Sequence, residues 1–140
     1  MTSVQMDDLQ LGKVLSLFRK DNFAKGCGIE IEEVTPGFAR CSMKVSTNHL
    51  NGLGILMGGA LFTLADYTFS LAANSYGKIA VTQNASIAYR RKCSGGVVTA
   101  IATETGRDER TGDYVVEVSN DQNQVIARIK GTAFYTGASI

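Results

Sequence analysis

NHLNGLGILMGGALFTLADYTFSLAANSYG, residues Asn48 to Gly77, is the stretch whose reading decides the fold. It opens as a polar loop studded with glycines, passes through Met57-Gly58-Gly59, and becomes a mostly apolar run. That run reads as one helix from Gly58 to Tyr76, roughly 28 Å long at about 1.5 Å per residue. Leu61, Phe62, Leu64, Ala65, Phe69, Leu71, Ala72 and Ala73 cover most of its circumference, so it is expected to be buried nearly all round. One acid, Asp66, stands inside it, and a carboxylate in a buried helix is costly unless something pairs with it or uses it. Gly59, Thr63, Asp66, Ser70 and Asn74 fall at helical spacing and gather small side chains into one stripe. The stripe reads either as the wall of a narrow channel beside the carboxylate, or as a solvent face or close helix contact.

The loop ahead of the helix supplies the complementary chemistry. Two glycines at a helix N-terminus leave amide N–H groups free, with the helix dipole favouring negative charge there, so they suit a phosphate or an oxyanion. A nucleotide is disfavoured. Gly52-x-Gly54-x-x-x-Gly58 misses the dinucleotide spacing by one, lacks an acid about 20 residues on, and has no βαβ flanks. No Gly-Lys-Ser/Thr follows, which excludes a P-loop. His49 is the sole histidine, and no Cys, His or acid cluster has ligand spacing, so no metal is expected. A Ser-His-Asp or Cys-His enzyme would have to use that one histidine, and nothing marks a nucleophile elbow.

Working outward, Asp7 to Asp21 places Leu9, Leu11, Val14, Leu15 and Phe18 on one helical face. Phe23 to Val34 reads as a strand, with Ile29 and Ile31 alternating against Glu30 and Glu32. After the turn Thr35-Pro36-Gly37, Ala39, Cys41, Met43 and Val45 alternate against Arg40, Ser42 and Lys44, which completes a hairpin. Beyond the long helix come four strands: Ile79 to Tyr89, Val97 to Thr105, Asp113 to Ser119 and Val125 to Tyr135. Arg110-Thr111-Gly112 and Asn120-Asp121-Gln122-Asn123 read as the tight turns between the last three. The order of helix, two strands, long helix and four strands argues α+β, with the strands wrapped around the helix as an antiparallel sheet of about six.

A chain of 140 residues suits one domain over 1–140, with the amphipathic helix within 1–22 part of it. Lys plus Arg number 14 against 13 Asp plus Glu, which gives no footing for nucleic acid. The three cysteines, Cys27, Cys41 and Cys93, lack a C-x-x-C and read as structural reduced thiols of a cytoplasmic protein. The acidic N-terminus is not a secretory signal. The most apolar window holds Asp66 and four preceding glycines, so no membrane span is expected.

Asn51-Gly52, Gly58-Gly59, Leu64-Ala65-Asp66 and Ala73-Asn74-Ser75 occur in an order and spacing that resembles the hot-dog fold thioesterases of the phenylacetate-pathway (PaaI) type. Ala80-Val81-Thr82, Ile87-Ala88-Tyr89, Arg110-Thr111-Gly112, Val125-Ile126-Ala127 and Gly131-Thr132 extend the resemblance over about residues 10 to 136. It implies a long helix inside an antiparallel sheet, with subunits joining sheets as dimers that often pair into tetramers, and active sites between subunits. It further implies that the substrate is an acyl-CoA, aryl or medium-chain, hydrolysed to the free acid and CoA. Asp66 would be nucleophile or general base, the Gly58 backbone N–H would polarise the thioester carbonyl, and Asn51, from the partner subunit, would orient carbonyl or water. Thr82 stands where relatives carry a small hydroxyl residue, and Gly59 and Met57 flank the donor. No cofactor is implied, since CoA enters as part of the substrate.

Two departures stand out. The family has His-Gly-Gly where this chain has Met57-Gly58-Gly59, and methionine neither donates nor relays a proton. That opens an alternative, a non-catalytic acyl-CoA or acyl-carrier binding protein on the same fold. Cys93-Ser94 replaces a common Pro-Gly. Arg90, Arg91 and Lys92, with Arg107 or Arg110, read either as holders of the CoA phosphates or as a solvated basic turn. Tyr67, Phe69 and Tyr76 read as acyl-pocket lining or as plain core.

Overall fold

The computed structural model describes residues 7–140. The reading of the extreme N-terminus as no secretory signal rests on residues 1–6 and lies outside the described residues. Asp7 caps helix α1 (Asp8–Phe18), its carboxylate accepting the Gln10 N–H at 2.7 Å. The expectation of a single helix to Asp21 and a strand from Phe23 is corrected. Asp21 caps a second, six-residue helix, α2 (Asn22–Cys27), by accepting the Ala24 N–H at 3.0 Å. Gly28 ends it at φ 76°, a left-handed conformation that glycine adopts without strain. Six residues are too few to display a helical period, so only the Asp21 cap signalled α2 in the sequence.

Strand β1 (Ile29–Thr35) therefore starts where the Ile/Glu alternation starts, and pairs with β2 (Phe38–Lys44). A bulge between Ile31 and Glu33 shifts the alternation so that Val34 turns into the core. After the glycine loop come α3 (Gly58–Ala73) and one 3-10 turn, Asn74–Tyr76, which carries the helical path to the expected Tyr76. Then follow β3 (Lys78–Tyr89), β4 (Val97–Arg107), β5 (Thr111–Ser119) and β6 (Val125–Ser139). The β4–β5 turn sits at Asp108–Arg110 rather than Arg110–Gly112. There the Asp108 carboxylate accepts the Arg110 and Thr111 N–H groups, both at 2.8 Å, and those bonds lower its pKa.

All six strands form one antiparallel sheet in the order β1-β2-β4-β5-β6-β3. The sheet wraps α3, which gives the α+β hot-dog architecture that the sequence implied. Leu64, Phe69 and Leu71 of α3 press on Val98, Val116, Val118 and Ile129 of the sheet, all fully buried. Gly131 of β6 permits the closest approach: a Cβ there would stand 2.6 Å from the Phe69 ring. Burying side chains of this size stabilises by roughly 1.5–3 kcal/mol each.

β3 follows the long helix in sequence but pairs with β6, the most distant strand, and so lies at the sheet edge. Asn74 fixes this crossing. Buried at the end of α3, it exchanges two hydrogen bonds with Ala80, at 2.9 and 3.0 Å, and donates to the Ser70 carbonyl. Asn74 is therefore a lock between helix and strand, and the polar stripe on α3 stops at Ser70. At the same end of the molecule the Tyr76 and Tyr114 hydroxyls and Arg107 Nε converge on Glu104 Oε1 at 3.0 to 3.2 Å.

Candidate active site

Asp66 lies on the face of α3 that looks toward α1 and α2. Phe18, Asp21, Phe23, Ala24, Phe62, Thr63, Tyr67 and Ser70 join it around a cavity of about 270 Å³. The stripe from Thr63 through Asp66 to Ser70 is thus a cavity wall. Burial raises the Asp66 pKa, the Thr82 hydroxyl opposes the rise by donating to Oδ1 at 3.4 Å, and the charge of Asp21 adds to it. A carboxylate so placed is a stronger base and nucleophile than one in water. Of the three aromatic candidates, only Tyr67 lines this cavity, its hydroxyl donating to the Phe18 carbonyl at 2.8 Å. Phe69 is core, and Tyr76 belongs to the Glu104 cluster. The sequence places Phe18 on an apolar helix face and Phe23 at a strand start, with no site role for either, because nothing local links them to α3.

Gly58 begins α3. The carbonyl of the preceding residue, Met57, accepts the Ala60 and Leu61 N–H groups at 3.0 and 3.1 Å, so the peptide between Met57 and Gly58 is held with the Gly58 N–H turned outward. The Tyr89 hydroxyl donates to the Gly58 carbonyl at 3.0 Å, and the Tyr89 ring occupies the place of a side chain: a Cβ at position 58 would lie 2.9 Å from it. A side chain here would have to displace the exposed Tyr89 ring. Met57 has no capping bond and its side chain is 55% exposed. Its terminal methyl would lie 3.6 Å from a Cβ at Gly59, so it covers the second glycine.

Asn51, Gly58, Tyr89, Arg90, Arg91 and Lys92 line a second cavity of about 390 Å³, with Ile55, Leu56 and Leu61 as its apolar wall. Asn51 Oδ1 accepts the Leu53 and Ile55 N–H groups at 2.9 and 3.3 Å, which leaves its amide NH₂ without a partner among the described residues. The basic run and Gly58 therefore share one groove. Arg107 does not: it stacks at 3.8 Å over Tyr76 and bonds Glu104 at the other end of α3. Arg110 sits in the Asp108 turn.

The two groups of site residues are separate within one chain. Asp66, to which Thr82 bonds, lines the first cavity, and Asn51, Gly58 and the basic run line the second. Eight residues of helix place Asp66 roughly 12 Å along the axis from Gly58 and about 80° around it. One small polar group cannot touch that carboxylate and the same chain's Gly58 N–H together. Asn51 stands beside its own Gly58, so an Asn51 supplied by a second chain would arrive together with that chain's Gly58.

His49, the sole histidine, is buried with both ring nitrogens engaged, Nδ1 with the Ser46 N–H at 3.1 Å and Nε2 with the Cys27 carbonyl at 2.8 Å. Among the described residues no group of three or more His, Cys, Asp or Glu could hold a metal. Burial pushes the Cys41 thiol up to about 11, so it stays protonated and fits the structural reading.

The six-stranded sheet wrapped around α3 is a hot-dog architecture, and comparison places the chain within a family of that fold. The chain belongs to the thioesterase superfamily, whose profile matches residues 53–127. The acyl-coenzyme A thioesterase PaaI of Escherichia coli is 35% identical over 126 residues, covering 89% of this chain and 90% of that protein. The solved structure of E. coli PaaI superposes with a TM-score of 0.89 at 33% identity, over 94% of this chain and 96% of that one. A hypothetical thioesterase protein from Streptococcus pneumoniae, solved with coenzyme A, is 28% identical with a TM-score of 0.84, over 90% and 99% of the two chains. No described helix is long and apolar enough to cross a membrane.

Proposed function

We propose that this chain is a cytoplasmic thioesterase that hydrolyses an acyl-CoA, aryl or medium-chain, at a site built from two subunits and without a cofactor. The observation that carries the reading is the half-buried Asp66 carboxylate in an aromatic-walled cavity, with Thr82 at its side. The acyl group enters this cavity. The thioester oxygen meets the Gly58 N–H of the partner subunit, whose Asn51 amide donates to the same carbonyl or to the attacking water. The long, unpaired edge of β3 carries Thr82 and supports the dimer, since two such strands side by side would bring each Asp66 to the other chain's glycine loop.

In this reading Asp66 either attacks the thioester carbon, expelling CoA thiolate and leaving a mixed anhydride that water then hydrolyses, or takes a proton from water as that water attacks and expels the thiolate. Both routes develop negative charge on the carbonyl oxygen, where a preorganised amide donor is worth roughly 100- to 1,000-fold in rate. The CoA phosphates lie against Arg90, Arg91 and Lys92. The coenzyme A bound in the pneumococcal relative and the acyl-coenzyme A named for E. coli PaaI support this substrate class.

The test is thiol release from a panel of aryl- and medium-chain acyl-CoAs. Asp66→Ala is expected to lower kcat by at least about 100-fold, the lower end for a lost general base. Equal release from wild type and variant would refute the Asp66 mechanism, and binding without release by the wild type would favour a binding protein.

A further inference from the structure

We propose that His49 is the positioning residue for the Gly58 amide, holding it through the backbone rather than carrying protons. The inference rests on the thioesterase reading. An oxyanion donor works only when its N–H is already aimed at the place where charge develops, within a few tenths of an ångström. Here the donor hangs at the end of a glycine-rich loop, which is a poor anchor by itself.

Three bonds meet at His49. Its Nε2 donates to the Cys27 carbonyl at 2.8 Å, the last residue of α2. Its Nδ1 accepts the Ser46 N–H at 3.1 Å. Its backbone carbonyl accepts the Met57 N–H at 2.9 Å. The Met57 carbonyl is in turn held by Ala60 and Leu61, and the free N–H of the next peptide is that of Gly58. A short path thus runs from the body of the domain, through the imidazole and one backbone bond, to the peptide that carries the donor.

The choice of histidine follows from this geometry. A neutral imidazole with its proton on Nε2 offers one donor and one acceptor at fixed angles on a short side chain. His49 is only 8% exposed, so replacing it takes a buried partner away from the Cys27 carbonyl and the Ser46 N–H. Leu56 N–H to the Cys93 carbonyl, at 2.7 Å, and the Tyr89 hydroxyl to the Gly58 carbonyl, at 3.0 Å, tie the loop elsewhere. Without His49 the loop loses its tie to α2 and keeps those to Cys93 and Tyr89, so the Met57–Gly58 peptide is less closely held.

The experiment uses the full chain with His49→Leu, which removes both ring bonds, His49→Gln, which can keep the donor to Cys27, and His49→Asn, which can keep the acceptor for Ser46. Two readouts are needed: kcat and KM for acyl-CoA hydrolysis, and hydrogen exchange at the Met57 amide. The Leu variant is expected to lose about tenfold or more in kcat with KM within about threefold, and to exchange the Met57 amide about tenfold faster. The Gln variant should restore most of kcat, with Asn between; these two carry the comparison if Leu does not fold. Unchanged kcat and unchanged Met57 exchange in the variants would overturn the proposal. So would equal losses in Gln and Leu that track melting temperature, which mark packing alone. If the wild type releases no thiol, the exchange readout still decides: faster exchange upholds the clamp while the thioesterase reading fails, and unchanged exchange overturns both.

Discussion

Asp66 is held where folding gains least from it. Burial favours its neutral acid, so the pKa in the folded chain lies above the unfolded value of about 3.9. Such a group binds more protons folded than unfolded. Its contribution to stability is fully present below the unfolded pKa and is lost as pH rises through the folded one. Asp66→Asn keeps the shape without the charge, so it is expected to melt above wild type at pH 7, with the gap closing toward pH 4. Calorimetry of the two proteins across that range is the check, and an Asn variant that melts lower at pH 7 would show the carboxylate to be stabilised by its surroundings. Wild-type activity should fall on the acidic side at a pH above that of an ordinary aspartate. Asp66 and Gly58 were both legible in the sequence, one as an acid in an apolar helix and the other as a glycine at its start. His49 and Tyr89 were not, because one acts on a carbonyl 22 residues back and the other on a carbonyl 31 residues back.

At the scale of elements, the long helix and the six strands were readable because their periods are long enough to show. The strand boundaries moved at the Asp108 turn, where a side chain rather than a glycine bends the backbone. Helix α2 was too short to register, and with it went Phe23 and the outer wall of the Asp66 cavity. The β3–β6 pairing is a non-local choice made by Asn74 and by burial of β6, and no local signal encodes it. Helix and sheet meet most closely where Phe69 lies over Gly131. Gly131→Ala places a methyl 2.6 Å from that ring, and both partners are fully enclosed, so it should cost about 1–3 kcal/mol. Urea unfolding measures it. A neutral result would mean that α3 can lift from the sheet, and would predict a looser Asp66 cavity in the same variant.

For the molecule as a whole, the separation of Asp66 from Gly58 and Asn51 governs the account. A sequence shows which residues carry chemistry, but a site shared between chains is a property of an assembly that no single chain's pattern contains. A dimer joined at β3 is therefore part of the proposal, and a monomer at micromolar concentration would count against it. The most direct test mixes two inactive variants, Asp66→Ala and Asn51→Ala, after reversible dissociation, and measures thiol release. If Asp66 of one chain works with Asn51 of the other, each mixed dimer has one intact and one doubly defective site. With half of the dimers mixed, activity should return to about a quarter of wild type. If both residues served one site from one chain, every site in the mixture would carry a defect and no activity would return, which would contradict the shared site.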